Sequence, residues 1–219
     1  MKRYFITGTD TDCGKTYVTC QLLDYFKVKQ RRILAIKPVA SGCVEQDDGQ
    51  LISEDVSHLQ HHNGDFQQQI CAWRFKPAIS PHLAAERVGQ YISAAAVSDY
   101  CDNANFRGMD YLLVEGAGGL MAPLNTEETW VDFLLCSQMP VILVVGMRLG
   151  CLNHALLTSF ALTAHNIKCV GWIANCLDKD MLELSANIAT LSQKMNGPLL
   201  AVIPYGEGIT CDTNLLHLG

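Results

Sequence analysis

Gly8-Thr9-Asp10-Thr11-Asp12-Cys13-Gly14-Lys15-Thr16 is the stretch on which the reading of this chain turns. It follows a short apolar run, Tyr4 to Thr7, and leads into a segment of helical spacing, Tyr17 to Lys29. Strand, glycine-rich loop and helix in that order make a phosphate cradle. Backbone N–H groups and the helix N-terminus face phosphate oxygens, a lysine reaches the terminal phosphates, and a hydroxyl binds magnesium. Lys15 and Thr16 stand at those two positions. The loop is one residue longer between its glycines than the common pattern. The flanking strand and helix therefore carry the reading against the alternative of an ordinary glycine turn capped by a threonine.

Working outward, further apolar runs lie at Ile33 to Ile36, Tyr111 to Val114, Val141 to Val145, Val170 to Ala174 and Leu199 to Ile203. None alternates with polar residues, which is the pattern of strands covered on both faces. Segments of helical spacing fall between most of them, including Ala155 to His165 and Met181 to Lys194. Alternating strand and helix predicts an α/β phosphate-loop fold, a mostly parallel central sheet with helices on both faces. The 219 residues, 49% hydrophobic and 17% charged, fit one such domain over 1–219. Cys43 to Gln69 reads as a long polar loop with one short helix, and loops of that length are more often functional than idle. Ser80 before Pro81 predicts a helix start.

Composition narrows the function classes. A net charge of -6, with no run of Lys or Arg, argues against nucleic-acid and anionic-membrane surfaces. The opening Met1-Lys2-Arg3-Tyr4-Phe5-Ile6-Thr7-Gly8 has too short an apolar run for a signal peptide, and no segment approaches the roughly 18 residues of a bilayer span. Cytoplasmic location and small-molecule partners are expected. The ten cysteines are scattered without a C-x-x-C pair or zinc spacing, so reduced, mostly buried thiols are expected.

Three more sites carry chemistry. Glu115 in Val114-Glu115-Gly116-Ala117-Gly118-Gly119 ends a buried strand at the carboxyl edge where open parallel sheets bind ligands. Beside Thr16 it is a candidate magnesium ligand, the alternative being an exposed strand-end acid. Lys37 in Ile36-Lys37-Pro38-Val39-Ala40-Ser41-Gly42 ends a second strand. It either stabilises charge on a transferring phosphoryl group or is a solvated strand-end lysine, and the residue alone leaves both open. Gly146-Met147-Arg148-Leu149-Gly150-Cys151-Leu152-Asn153 leads into a helix whose free N–H groups suit a carboxylate, or is a plain connection. His58, His61 and His62 have loose metal-like spacing but polar surroundings, which favours solvated loop histidines. Trp130 reads as a packing residue.

The phosphate loop, Lys37 to Gly42, Val114 to Gly119, Pro140 to Ala155 and Gly171-Trp172-Ile173-Ala174-Asn175 together resemble the dethiobiotin synthetase family, in order and over nearly the whole chain. The resemblance implies an ATP- and Mg2+-dependent cyclo-ligase and, as in that family, a homodimer. The implied substrate is 7,8-diaminononanoate, whose amine takes up CO2 as a carbamate that ATP phosphorylates before the second amine closes the ring. It implies that Thr11, Lys15 and Lys37 hold and activate the γ-phosphate, that Ser41 contacts the carbamate, and that Thr16, Asp55 and Glu115 bind magnesium. Asp12, Cys13, Gly14, Tyr17, Gly116, Ala117 and Gly118 would complete the nucleotide-binding set. Asn175 and Cys176 with Pro204, Tyr205 and Gly206 would flank the adenine. Gly150, Cys151, Leu152 and Asn153 would receive the substrate carboxylate, in that family across the dimer interface.

This chain departs from the family pattern in places. Asp12 stands where Glu is common and Arg148 where Lys is common, each keeping its charge but changing its reach. The extra acid in Ser53-Glu54-Asp55 leaves either carboxylate as the metal ligand. A cobyrinate-type amidating synthetase would need a glutamine-hydrolysing domain for which this length leaves no room. A partitioning-type ATPase switch would carry a second lysine near Gly8, where Thr9 stands, and a basic or amphipathic tail, which Leu199 to Gly219 is not.

Overall fold

β1 (Lys2–Gly8) runs through the middle of the sheet, and its residues from Tyr4 onward are buried. Aromatic and β-branched side chains fit a pleated surface with cover on both faces, and Tyr4-Phe5-Ile6-Thr7 supplies them. The computed structural model describes residues 1–47, 49–66, 68–209 and 214–218. After β1 the chain forms α1 (Lys15–Val28), β2 (Ile33–Ile36), β3 (Val39–Ala40), β4 (Val44–Glu45), β5 (Leu51–Ile52), α2 (Glu54–Asn63) and β6 (Trp73–Arg74). It continues through α3 (Pro81–Glu86), α4 (Ala94–Cys101), β7 (Tyr111–Gly119), α5 (Trp130–Ser137) and β8 (Val141–Met147). α6 (Cys151–Ala164), β9 (Cys169–Cys176), α7 (Leu184–Lys194) and β10 (Leu199–Ile203) follow.

Six strands form one sheet in the order β10-β9-β8-β1-β7-β2, and every pairing in it is parallel. Cover on both faces shows in the side chains of β8. Ile142 and Val144 join the larger apolar cluster, whereas Leu143, Val145 and Met147 join a second one built with α6 and α7. Successive residues of a strand point to opposite faces, so a strand buried everywhere must feed two cores. The six apolar runs of the sequence are these six strands, and the phosphate-loop α/β fold expected from them is the one found.

β1 lies between β7 and β8, so the chain leaves β1 toward one edge and later returns to build the other. Loops from the carboxyl ends of strands part at such a point and leave a crevice between them. At the β2 edge, Asn63 does the work of a neighbouring strand. Its amide accepts from the Ala35 N–H at 2.9 Å and donates to the Ala35 carbonyl at 2.8 Å. That seals part of an otherwise open edge and anchors the end of α2 beside the site.

Several boundaries differ from expectation. α1 begins at Lys15 and α6 at Cys151, earlier than the apolar spacing places them, because Gly14 and Gly150 act as left-handed N-caps. α7 begins at Leu184, after Glu183 takes a positive φ of 55°. Pro81 does open α3, but the Ser80 hydroxyl makes no cap bond and instead meets His82 Nδ1 at 2.8 Å. The polar stretch after Cys43 contains the short β4–β5 hairpin as well as α2.

α5 is held by a capping box between Thr129 and Asp132, each side chain satisfying an N–H at the helix start. It carries fully buried Trp130, whose ring packs on Phe5 at 5.2 Å and Phe133 at 5.6 Å between centroids. The Trp130 Nε1–H donates to the Ala117 carbonyl at 2.9 Å and fixes the glycine-rich end of β7. Trp130→Ala is expected to lower unfolding stability by about 3–5 kcal/mol, read from urea denaturation, since it removes a large core ring and leaves a cavity.

Candidate active site

The loop from Gly8 to Gly14 turns sharply back onto the sheet and delivers the chain into α1. Gly14 has φ 86°, a left-handed conformation that costs a residue without a Cβ nothing. A Cβ there would also lie 2.0 Å from Asn175 Nδ2. Asn175, at the end of β9, donates to the Cys13 carbonyl at 3.0 Å, so the loop is clasped from the neighbouring strand. The first turn of α1 carries no acidic residue, and its free N–H groups and positive dipole end open onto a cleft. The cleft has a volume of about 280 Å³ and is lined by Thr11, Asp12, Gly14, Lys15, Thr16, Tyr17, Lys37, Ser41, Asp55, Ala117 and Gly118.

Three charged side chains meet at its floor. Glu115 is fully buried. Its Oε1 accepts from the Thr16 hydroxyl at 2.6 Å and from Lys37 Nζ at 2.8 Å, whereas Oε2 is buried with no partner. Asp55, on the first turn of α2, also accepts from Lys37 and keeps about half of its side chain (47%) open to the cleft. Burial opposes the charged form of Lys37, but Glu115 and Asp55 outweigh it and hold the ammonium pKa above its usual value. For Asp55, burial works against ionisation, yet Lys37, Thr16 and Lys15 together pull its pKa below the usual carboxylate range. Lys37 and Asp55 are thus both charged at neutral pH. Lys37 meets carboxylates in this state and is not a solvated strand end.

Asp55 rather than Glu54 faces the cleft, for Glu54 is exposed and lies 3.6 Å from His58 one turn along. Lys15 is buried and donates to the Asp10 carbonyl at 3.0 Å. Cys13 and Gly116 sit beneath the cleft, Gly116 against the Phe5 ring. Pro204, Tyr205 and Gly206 begin a strap along α1: Tyr17 donates its hydroxyl to the Glu207 carbonyl at 2.5 Å, and Gln21 accepts from the Ile209 N–H at 3.4 Å. Asn175 and Cys176 are buried at the end of β9 on that side. Gly150, Cys151, Leu152 and Asn153 open α6 but do not line this cleft. Their link to the phosphate loop is an ion pair of Arg148 Nη2 with Asp10 Oδ2 at 2.7 Å.

The histidines expected in a loop, His58, His61 and His62, lie instead on α2, where His62 Nδ1 meets Asp24 at 3.0 Å and ties α2 to α1. The nine described cysteines are free thiols, and Cys211 lies outside the described residues. Asp10 is the site residue that pattern reading passes over, although an aspartate just after a turn glycine is a common hydrogen-bond acceptor for the backbone ahead of it.

Such a loop, with its lysine, its hydroxyl and a buried carboxylate on the adjacent strand, defines a nucleotide-binding protein of the phosphate-loop class. A family model described as an AAA domain matches residues 2–213. An ATP-dependent dethiobiotin synthetase BioD of Legionella pneumophila is 52% identical over 96% of this chain and 97% of its own. That of Pseudoalteromonas translucida is 44% identical over 94% and 92%. Among solved structures, a ParA family ATPase from Chlorobium tepidum superposes with TM-score 0.55 at 18% identity, covering 93% of this chain and 84% of that one. Chloroplast FtsY from Physcomitrella patens superposes with TM-score 0.57 at 19% identity, and this chain spans 59% of its length. The chain belongs to the ATP-dependent dethiobiotin synthetase family.

Lys37→Gln leaves Glu115 buried beside an uncharged amide and is expected to cost about 3–5 kcal/mol in metal- and nucleotide-free buffer. Because the Asp55 pKa is lowered, its share of this stabilisation is present above the unfolded-state value and is lost as pH falls through the lowered one. The raised Lys37 pKa gives a share present below the ordinary lysine value and lost as pH rises through the raised one. The gap between the two proteins, measured by urea denaturation across pH, should therefore hold at neutrality and narrow below about pH 4 and again above about pH 10.

Proposed function

We propose that the protein closes the ureido ring of dethiobiotin from 7,8-diaminononanoate and CO2, converting ATP to ADP and phosphate in biotin biosynthesis. The observation that carries this reading is the convergence of Lys15, Thr16, Lys37, Asp55 and Glu115 on one cleft, in a chain nearly half or more identical along its length to named synthetases.

The chemistry suits the geometry. An amine of the substrate adds to CO2 and loses a proton, giving a carbamate. A carbamate oxygen attacks the γ-phosphorus, the bond to the ADP oxygen breaks, and a carbamic-phosphoric anhydride results. The second amine attacks the carbonyl carbon, the carbon–oxygen bond to phosphate breaks, and the ring closes. Carbamates form unaided, so the protein's part is alignment and neutralisation of charge spreading over the phosphoryl oxygens. Lys15 and Thr11 hold the γ-phosphate from the loop, Lys37 reaches it from β2, and Ser41 orients the carbamate. Asp12, Cys13, Gly14, Tyr17, Gly116, Ala117 and Gly118 surround the phosphates and ribose. Asn175, Cys176, Pro204, Tyr205 and Gly206 enclose the adenine.

Magnesium fits the residues present: a hydroxyl, a half-open carboxylate and a buried carboxylate with one unpartnered oxygen make an all-oxygen set. Thr16, Asp55 and Glu115 would hold it, and it would supply charge neutralisation at the β- and γ-phosphates. Lys37, held here by Asp55 and Glu115, is the cation that faces the γ-phosphate from the end of β2.

The N–H groups opening α6 at Gly150, Cys151, Leu152 and Asn153 receive the substrate carboxylate, serving the site of a second copy. Exposed Leu149, Leu157 and Phe160 on that element favour a homodimer. Among the described residues no helix is long and apolar enough to cross a membrane. With the net negative charge, this supports a cytoplasmic enzyme whose partners are small molecules and not nucleic acid or membrane.

Phosphate release with ATP, Mg2+ and bicarbonate is expected to require the diamine, to yield a cyclic urea, to stop on chelation of the metal, and to fall by about 10²-fold or more in Lys37→Ala. The same preparation should sediment as a dimer. Release that ignores the diamine, or none at all, would move the protein to the switch ATPases or to another carboxylate-activating synthetase.

A further inference from the structure

Asp10 is bound on three sides, and the elements that bind it belong to different parts of the site. Its Oδ1 accepts from the Thr11 N–H at 2.8 Å, its Oδ2 accepts from Arg148 Nη2 at 2.7 Å, and its carbonyl accepts from Lys15 Nζ at 3.0 Å. Arg148 follows β8, and its own carbonyl accepts from the Cys151 N–H at 3.0 Å, closing the turn that opens α6. A single side chain therefore spans from that turn to the first residues of the phosphate loop, across 138 positions of sequence.

The pair is exposed to about the same degree at both ends, 42% for Arg148 and 45% for Asp10. Ion pairs open to solvent add little to stability, so folding alone gives little reason for this one. Its effect is geometric. With one oxygen on Thr11 and the other on Arg148, the Asp10 carboxylate is fixed in orientation, and its peptide holds Lys15. Displacement of a reacting group by an ångström can cost about 10²-fold in rate.

We propose that Arg148 is a positioning residue. Acting through Asp10, it sets the start of the phosphate loop, and with it Thr11 and Lys15, at a fixed spacing from the α6 turn. The placement matters for turnover in so far as the ligase reading above holds, since Thr11 and Lys15 are there the residues that hold the γ-phosphate. An arginine acting instead as a distant positive charge on phosphate would need no Asp10.

The test compares wild type with Arg148→Ala, Arg148→Lys, Asp10→Asn and the Arg148→Ala/Asp10→Asn double variant. In nucleotide-free protein, Arg148→Ala should speed amide exchange across Thr9 to Lys15 while leaving β1 and β8 protected, and Arg148→Lys should restore most of the protection. In turnover with the diamine, Arg148→Ala should lose tenfold or more in kcat with an unchanged denaturation midpoint, Arg148→Lys should recover most of it, and the double variant should be no slower than the slower single one. Unchanged exchange in Arg148→Ala would overturn the tie, whether or not the protein proves to be a ligase. Faster exchange with unchanged kcat, or losses that multiply in the double variant, would overturn its part in the reaction. Wild type that exchanges as described but ignores the diamine would fault the ligase reading and leave the tie standing.

Discussion

A carboxylate taken wholly out of water must meet positive charge, because no neutral neighbour repays its lost hydration. Glu115 is in that position at the end of β7, and much of the surrounding structure serves it. Lys37 reaches it from β2, the neighbouring strand, and Thr16 reaches it from the first turn of α1. Asp55 on α2 shares the lysine, and α2 is itself pinned to the β2 edge by Asn63. One Glu115 oxygen is left buried without a partner.

The same arrangement explains how one sheet edge assembles a site from segments distant in sequence. Parallel strands bring their carboxyl ends to one side, and β1 between β7 and β8 opens the crevice there. The fold itself says little about the reaction. A ParA family ATPase and FtsY share its backbone below 20% identity, and what separates functions on one fold is the set of side chains at the crevice. Here Lys37 and Glu115 meet at the crevice and Arg148 pairs with Asp10 beside it, each placed by strand ends that the common fold supplies.

Much of this was legible in the chain. Six short apolar runs with helical segments between them match strands covered on both faces, and the loop from Gly8 to Thr16 is a local feature whose neighbours in sequence are its neighbours in space. Lys37 and Glu115 stood out because charge at the end of a buried strand has to be met. What escaped depended on distance or on brevity. The Arg148–Asp10 pair joins residues that only the sheet order brings together. α4 and α5 are short and largely apolar, so no clear helical stripe marks them. β7 continues to Gly119, past the point where its glycines suggest a loop, because Gly119 pairs with Gly8 and Trp130 holds the Ala117 carbonyl. Ser80 has the residue type of a cap but spends its hydroxyl on His82. The Gly150 to Asn153 turn is visible in sequence, yet the folded chain keeps it out of the lining of the cleft.

In the proposed reaction the cleft directs a carbamate oxygen, and not water, at the γ-phosphorus. Turnover with CO2 carrying heavy oxygen, followed by mass analysis of the released inorganic phosphate, tests this most directly. Attack by the carbamate makes the bridging oxygen of the anhydride one that came from CO2, and ring closure leaves it on phosphate. One heavy oxygen is expected in each phosphate released, in step with cyclic urea formed. Phosphate carrying only solvent oxygen and that of ATP would contradict it.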